Sequence, residues 1–249
     1  VAITAGKLGI GFTDDQVKIG NNALDSLTTG TDNTACGDNA LTATTTGSNN
    51  TAVGYVAMTS NTTGSNNVAV GYAVLDANTT GDNNTAVGSA AASAITTGSS
   101  NTAVGRQSLD ANTTGSDNTA IGKGALTSNT TASFNTAVGN DALRDVTTNT
   151  NNVAMGVNAA LTSTGSYNTA IGNNTFRGTS NSASNCVALG YNSLNANTTG
   201  ANNVAVGKEA LSANTTASNN VAIGSESLTT NTTGDHNTAI GKSSLQVNT

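Results

Sequence analysis

With 249 residues the chain could hold one large domain or two small ones, yet only 9% of its residues are charged, 3% are aromatic, and proline and tryptophan are absent. Its hydrophobic fraction of 35% includes many alanines, so composition alone points to a disordered polar chain unless a strict repeat overturns that inference. The net charge of −6 comes from 14 acidic and 8 basic residues scattered along the sequence, which leaves no basic patch for nucleic acid, and no apolar run is long enough for a membrane-spanning helix.

In chain order, residues 1–15 form a leading segment. It carries Gly6-Lys7-Leu8-Gly9-Ile10-Gly11, and Asp14-Asp15 reads as a solvated turn. From residue 16 to 249 one pattern recurs with a period of 17, in its most regular form N-[TV]-A-[VI]-G-x-x-A-L-x-A-N-T-T-G-S-N. A weaker copy starts at Gln16, and full copies start at Asn33, Asn50, Asn67, Asn84, Asn101, Asn118, Asn135, Asn152, Asn168, Cys186, Asn203, Asn220 and Asn237. The period breaks twice: the step from Asn152 to Asn168 is one short, and the step from Asn168 to Cys186 is one long. The chain begins at Val1 without a methionine or a visible secretory signal and stops in mid-repeat at Thr249, which predicts that the natural chain continues.

The positions of the repeat, numbered from its first Asn, have distinct characters. Position 5 is glycine in every copy: Gly20, Gly37, Gly54, Gly71, Gly88, Gly105, Gly122, Gly139, Gly156, Gly172, Gly190, Gly207, Gly224 and Gly241. Such invariance predicts a turn with positive φ or a close approach that no Cβ permits. Position 4 is always apolar, and with the leucines of position 9 it predicts a core ladder of Val53, Val70, Val87, Val104, Ile121, Val138, Leu75, Leu109, Leu126 and Leu143. A period of 17 suits neither a helix pair nor a heptad. β-branched residues at positions 2 and 4 before glycine read as a short strand and turn, positions 7 to 11 as a second strand, and T-T-G-S-N as the return. The fold class predicted is therefore all-β: a parallel β-solenoid of about fourteen 17-residue coils, each stacked on the next so that every position sits over its own copies.

Three aliphatic side chains per coil fall well short of the entropy of ordering the whole coil, so Asn ladders, inter-coil hydrogen bonds and a partner chain are expected to supply the rest. The small alanine at position 3, as at Ala86, Ala103 and Ala120, would let another backbone approach and is the predicted interface. Position 12 exchanges Asn with Leu27, Ile95 and Val146, which turns it inward or toward a partner. Its N-T-T triplets, from Asn61 and Asn78 to Asn231, then read as a by-product of the repeat rather than as glycosylation sites. Cys36 stands at position 4 and is expected to be a buried free thiol, with no disulfide to Cys186 nine coils away.

The motif N-N-[TV]-A-[VI]-G-x-x-A-L resembles the N-S-V-A-I-G repeat of trimeric autotransporter adhesin heads. The 17-residue form with N-T-T-G resembles repeats of phage tail fibres still more, and Gly6–Gly11 is similar to the G-x-V-G-I-G-T stretch of tail-fibre proteins. The repeat resemblance covers residues 16–249. It implies a left-handed β-roll in which three chains pack into one fibre. It also implies an extracellular place on a virion or cell surface, and a receptor contacted by a tip outside this chain.

Little in the sequence suggests chemistry. His236, the single histidine, occupies position 17, where other copies carry Asn or Asp, and reads as a turn residue. Asp38, Asp76, Asp110, Asp141 and Asp145 fall at variable positions and make no calcium ladder. No Ser-His-Asp set or paired carboxylates recur, so the expectation is a non-enzymatic protein without cofactor or metal. The leading reading is a fibre shaft. A self-assembling extracellular filament without receptor role comes second, and ice binding through the threonines of positions 13 and 14 third.

Overall fold

The computed structural model describes residues 9–11, 15–178 and 181–247. Gly6, Lys7, Leu8, Asp14 and Thr249 lie outside the described residues. The chain divides into two compact units, Val1–Asn118 and Thr119–Thr249, both built from the same coil. The fold is an all-β solenoid whose successive parallel strands recur with the period of the repeat, and the described residues contain no helix.

In the first unit β1 (Gly9–Gly11) pairs antiparallel with β2 (Val17–Gly20), so the leading segment adds a strand to the first coil. β3 (Thr34–Cys36), β4 (Thr51–Val53), β5 (Val68–Val70), β6 (Thr85–Val87) and β7 (Thr102–Val104) follow in parallel, each residue paired with the same repeat position one coil on. The second unit repeats the arrangement with β8 (Thr119–Ile121), β9 (Thr136–Val138), β10 (Val153–Met155), β11 (Thr169–Ile171), β12 (Val187–Leu189), β13 (Val204–Val206), β14 (Val221–Ile223) and β15 (Thr238–Ile240). Its pairing is also parallel and in register. The register survives the short and the long step, because Ala154 pairs with Ala170 and Ala170 with Ala188.

Each coil has one strand, at positions 2 to 4, and not two. Positions 7 to 11 form turns, which corrects the expected second strand. The cause is an alternation that no strand can adopt. Positions 7 and 9 are left-handed, as in Val56 at φ 51 and Met58 at φ 52. Backbone hydrogen bonds still run between coils: Val56 N–H donates to Asp38 O at 3.0 Å, Met58 to Val74 O at 2.9 Å and Ser60 to Asp76 O at 3.0 Å. These turns thus meet the demand for backbone partners without extended geometry.

Glycine at position 5 is required twice over. Its φ lies between +119 and +149 in every coil. A Cβ on Gly54 would also be driven into the carbonyl oxygen of Gly71 in the next coil.

The interior of a coil is narrow and is filled by columns of like residues. Alanine at positions 3 and 8 and leucine at position 9 are buried, with Leu75, Leu109, Leu126 and Leu143 fully so. Where serine replaces the position-8 alanine its hydroxyl donates to the position-5 carbonyl, as from Ser108 to Gly105 at 2.9 Å. Volume is conserved locally. Ala92 leaves a gap at position 9, and in the same coil Ile95 replaces Asn at position 12. The gap at Ala160 is followed one coil on by Phe176.

Two buried asparagine columns complete the interior. Asn50 Nδ2 donates to Asn33 Oδ1 at 3.1 Å and to Gly64 O at 2.8 Å, and Asn61 Nδ2 donates to the same Gly64 O at 3.0 Å. Both lone pairs of that inward carbonyl are therefore used, from positions 1 and 12 of its own coil. Asn67 and Asn78 repeat the arrangement on Gly81 O. The N-T-T asparagines are thus structural. Asn61, Asn78, Asn112, Asn129, Asn197 and Asn214 are fully buried and Asn231 nearly so, out of reach of a glycosylating enzyme in the folded chain.

Candidate functional site: the outward face of the strands

The strand alternation places positions 2 and 4 on one side and position 3 on the other. The direction is opposite to that expected. Ala86 and Ala120 are fully buried within their own units and Ala103 is 1% exposed, so position 3 belongs to the core and not to an interface. The expected core valines lie outside instead. Val53, Val87, Val104 and Ile121 are exposed, at 36–39%, while Val70 and Val138 are half-buried. The reason is the width of the coil. Asparagine, alanine and leucine from positions 1, 8, 9 and 12 already fill it, and only a methyl group fits beneath the strand.

The outward face is accordingly apolar and uncharged. Position 4 in the first unit presents Ile19, Cys36, Val53, Val70, Val87 and Val104, and position 2 is threonine or valine. The second unit carries Ile121, Val138, Met155, Ile171, Leu189, Val206, Ile223 and Ile240 at the same repeat position. No Asp, Glu, Lys or Arg occupies position 2 or 4 in any copy. Beside the strip, position 6 holds Tyr55 and Tyr72, which stack at 5.9 Å between ring centroids with 53% and 59% exposure. It also holds Asp38, Arg106, Lys123, Lys208 and Lys242, so the uncharged strip is limited to positions 2 and 4. An exposed β-branched surface repeated on successive strands is far larger than the scattered apolar side chains of an ordinary surface.

The expected burial of Cys36 is corrected. Cys36, at position 4, is half-exposed, and Cys186 is the buried one; both are free thiols. Cys186 replaces the position-1 asparagine. Its backbone N–H keeps one bond of that ladder, donating to Asn168 Oδ1 at 3.0 Å, and its Sγ lies 3.4 Å from Gly200 O. Burial pushes its thiol up to about 11.

His236 is an exposed turn residue at φ 62, in the left-handed place that Asn66 holds at φ 60. The position-13 threonines do not offer a free hydroxyl row. Thr62 Oγ1 donates to Thr79 O at 3.0 Å and Thr79 to Thr96 O at 3.0 Å, and the same bond recurs from coil to coil in each unit. Among the described residues no group of three His, Cys, Asp or Glu side chains could hold a metal ion. Asp76 is raised above the usual carboxylate range by burial, and Asp110 adds to the effect.

The outward strip was missed in the sequence, although a signal for it was present. Alanine is nearly invariant at position 3 while positions 2 and 4 vary in size, and a confined interior tolerates less variation than an open face. No family model matches the chain, and no curated protein matches it.

Proposed function

We propose that the chain is a non-enzymatic fibre shaft, of the kind found in phage tail fibres and bacterial surface adhesins, assembled from parallel copies at an extracellular surface. One observation carries this reading: the strands present an uncharged Thr/Val/Ile face in coil after coil, while the interior of each coil is already complete without it. A face of this kind fits another copy of itself, since like positions recur at the same spacing and positions 2 and 4 carry no charge to desolvate, the charges of position 6 falling to the rim. Three copies are proposed because N-T-A-V-G resembles the adhesin-head motif. The alanines of position 3 have no part in this contact.

Sedimentation equilibrium tests the reading. The parent chain is expected to sediment as a trimer, and Val87→Lys with Val104→Lys, two lysines on the outward strip, to release monomers that keep their β circular dichroism. A parent that grows into ever longer species with concentration supports the end-to-end filament instead. A stable monomer that shapes growing ice crystals assigns the outward threonines of position 2 to ice.

A further inference from the structure

We infer that the second unit carries a side pocket for a small sugar acid, at the one place where the repeat loses its period. The coil that starts at Asn152 is a residue short after Ser163, and the coil that starts at Asn168 is longer between Phe176 and Asn181. An open-sided groove of about 520 Å³ lies there, with Arg144, Leu161, Thr162, Arg177, Asn195 and Ala196 among its lining residues. That volume suits a ligand of one or two sugar rings. The lining residues come from the turn segment, at positions 10 and 11, and not from the strand face proposed to pack between copies. The inference therefore does not depend on the fibre reading.

The chemistry of the lining points to the ligand. The chain has three arginines, and two of them line this groove. Arg144 is held by Asp145, which accepts from Nε at 2.8 Å and from Nη2 at 3.1 Å, so one edge of the guanidinium is fixed and the other stays open to donate. Asp141 also acts on Arg144 through its charge. Two carboxylates thus temper Arg144, whereas the Arg177 guanidinium makes no ion pair among the described residues and is the principal anchor for an anion. Thr162 donates its hydroxyl to Arg177 O at 2.8 Å and also contacts Gly178 O, which fixes the oxygen as an acceptor. The carboxamide of Asn195 can donate and accept toward ring hydroxyls, and Leu161, 6% exposed, with Ala196 gives an apolar wall for a pyranose face. A carboxylate for arginine, hydroxyls for Thr162 and Asn195, and a CH-rich face for Leu161 meet in a uronic-type sugar.

Saturation-transfer NMR and titration calorimetry on the whole chain would test this with methyl glucuronide, methyl glucoside and inorganic phosphate as probes. Methyl glucuronide is expected to bind at least about tenfold more tightly than either of the other two. Arg177→Gln should weaken it by at least about tenfold, and Arg106→Gln, a change in the first unit, should leave it unaltered. Ala196→Phe, which sets a ring where the small wall residue stood, should weaken binding by at least about tenfold while the thermal melt stays cooperative. Equal binding of glucoside or phosphate, no binding of the glucuronide to the parent, or full binding to Arg177→Gln would each overturn the assignment.

Discussion

The coils from Asn50 to Asn101 and the two that span residues 152–185 are written in the same repeat but settle their polar groups differently. In the regular coils the buried carboxamides bond to an Asn copy one coil away wherever the repeat supplies one: Asn67 and Asn50 at 3.2 Å, Asn78 and Asn61 at 2.9 Å. In the irregular pair, Ser163 and Asn181 stand where Asn would be, bridge as neighbours, and are fully buried. Neither Ser163 Oγ nor Asn181 Nδ2 has a hydrogen-bond partner there. A ladder of identical residues is self-satisfying only while the period holds. One residue lost and one gained restores the strand register and leaves the corner unmatched.

The largest effect is expected at position 5. Gly54→Ala should lower stability by about 3 kcal/mol or more, since it combines a strained φ with a Cβ driven into Gly71 O. Gly124→Ala also has a positive φ, at +68, but its Cβ would meet the Asp141 side-chain oxygen, which can swing away, and it should cost about 1 kcal/mol. Denaturant midpoints of the two variants separate close approach from backbone strain.

Next come the inside and the outside of one coil. Leu109→Ala should cost about 3 kcal/mol, as a fully buried leucine in a narrow interior. Val104→Ala should cost the folded chain under about 1 kcal/mol and act on assembly instead. Equal losses in the two thermal melts would return position 4 to the core.

Cys186→Asn repairs the one break in the position-1 ladder of the second unit and should raise stability by about 1 kcal/mol. It should also change the pH dependence. The folded thiol, raised by burial, keeps its proton where the unfolded thiol has lost it, so the parent loses stability as pH rises between 9.0 and about 11. Urea melts across that range should show the fall in the parent and not in Cys186→Asn.

The smallest effect lies at the irregular corner. Ser163→Ala removes a buried hydroxyl without a partner and should be neutral or stabilising by up to about 1 kcal/mol, whereas Asn61→Ala, which empties a satisfied site, should cost about 2 kcal/mol. Chemical denaturation of both variants checks the contrast.

Much of this architecture was legible because a solenoid repeats its physics with its sequence. The period of 17, the turn at every position-5 glycine and the inward leucines of position 9 are all explicit in the residues. The sense of the strand was not. Alternation separates Ala103 from Thr102 and Val104, but which side is inside depends on how much space the rest of the coil leaves. Two leading clues pointed the wrong way: β-branched side chains suggested a core, and small size suggested an interface. The turns at positions 7 and 9 were hidden for a related reason. Leucine at φ near 50, as Leu75 is, runs against its intrinsic preference and is imposed by bonds to adjacent coils. The pocket at Arg177 announced itself only as a broken period.

The central claim, that the outward strip is covered by further copies while the coil interior stands alone, is tested most directly by alkylating the native protein with a maleimide. Cys36 lies on the strip and is half-exposed in a single chain, and Cys186 is buried inside a coil and serves as the internal reference. The account predicts that both thiols stay protected in the native assembly, and that Cys36 alone becomes reactive when Val87→Lys and Val104→Lys separate the copies. Rapid modification of Cys36 in the native parent, with Cys186 still protected, would contradict it.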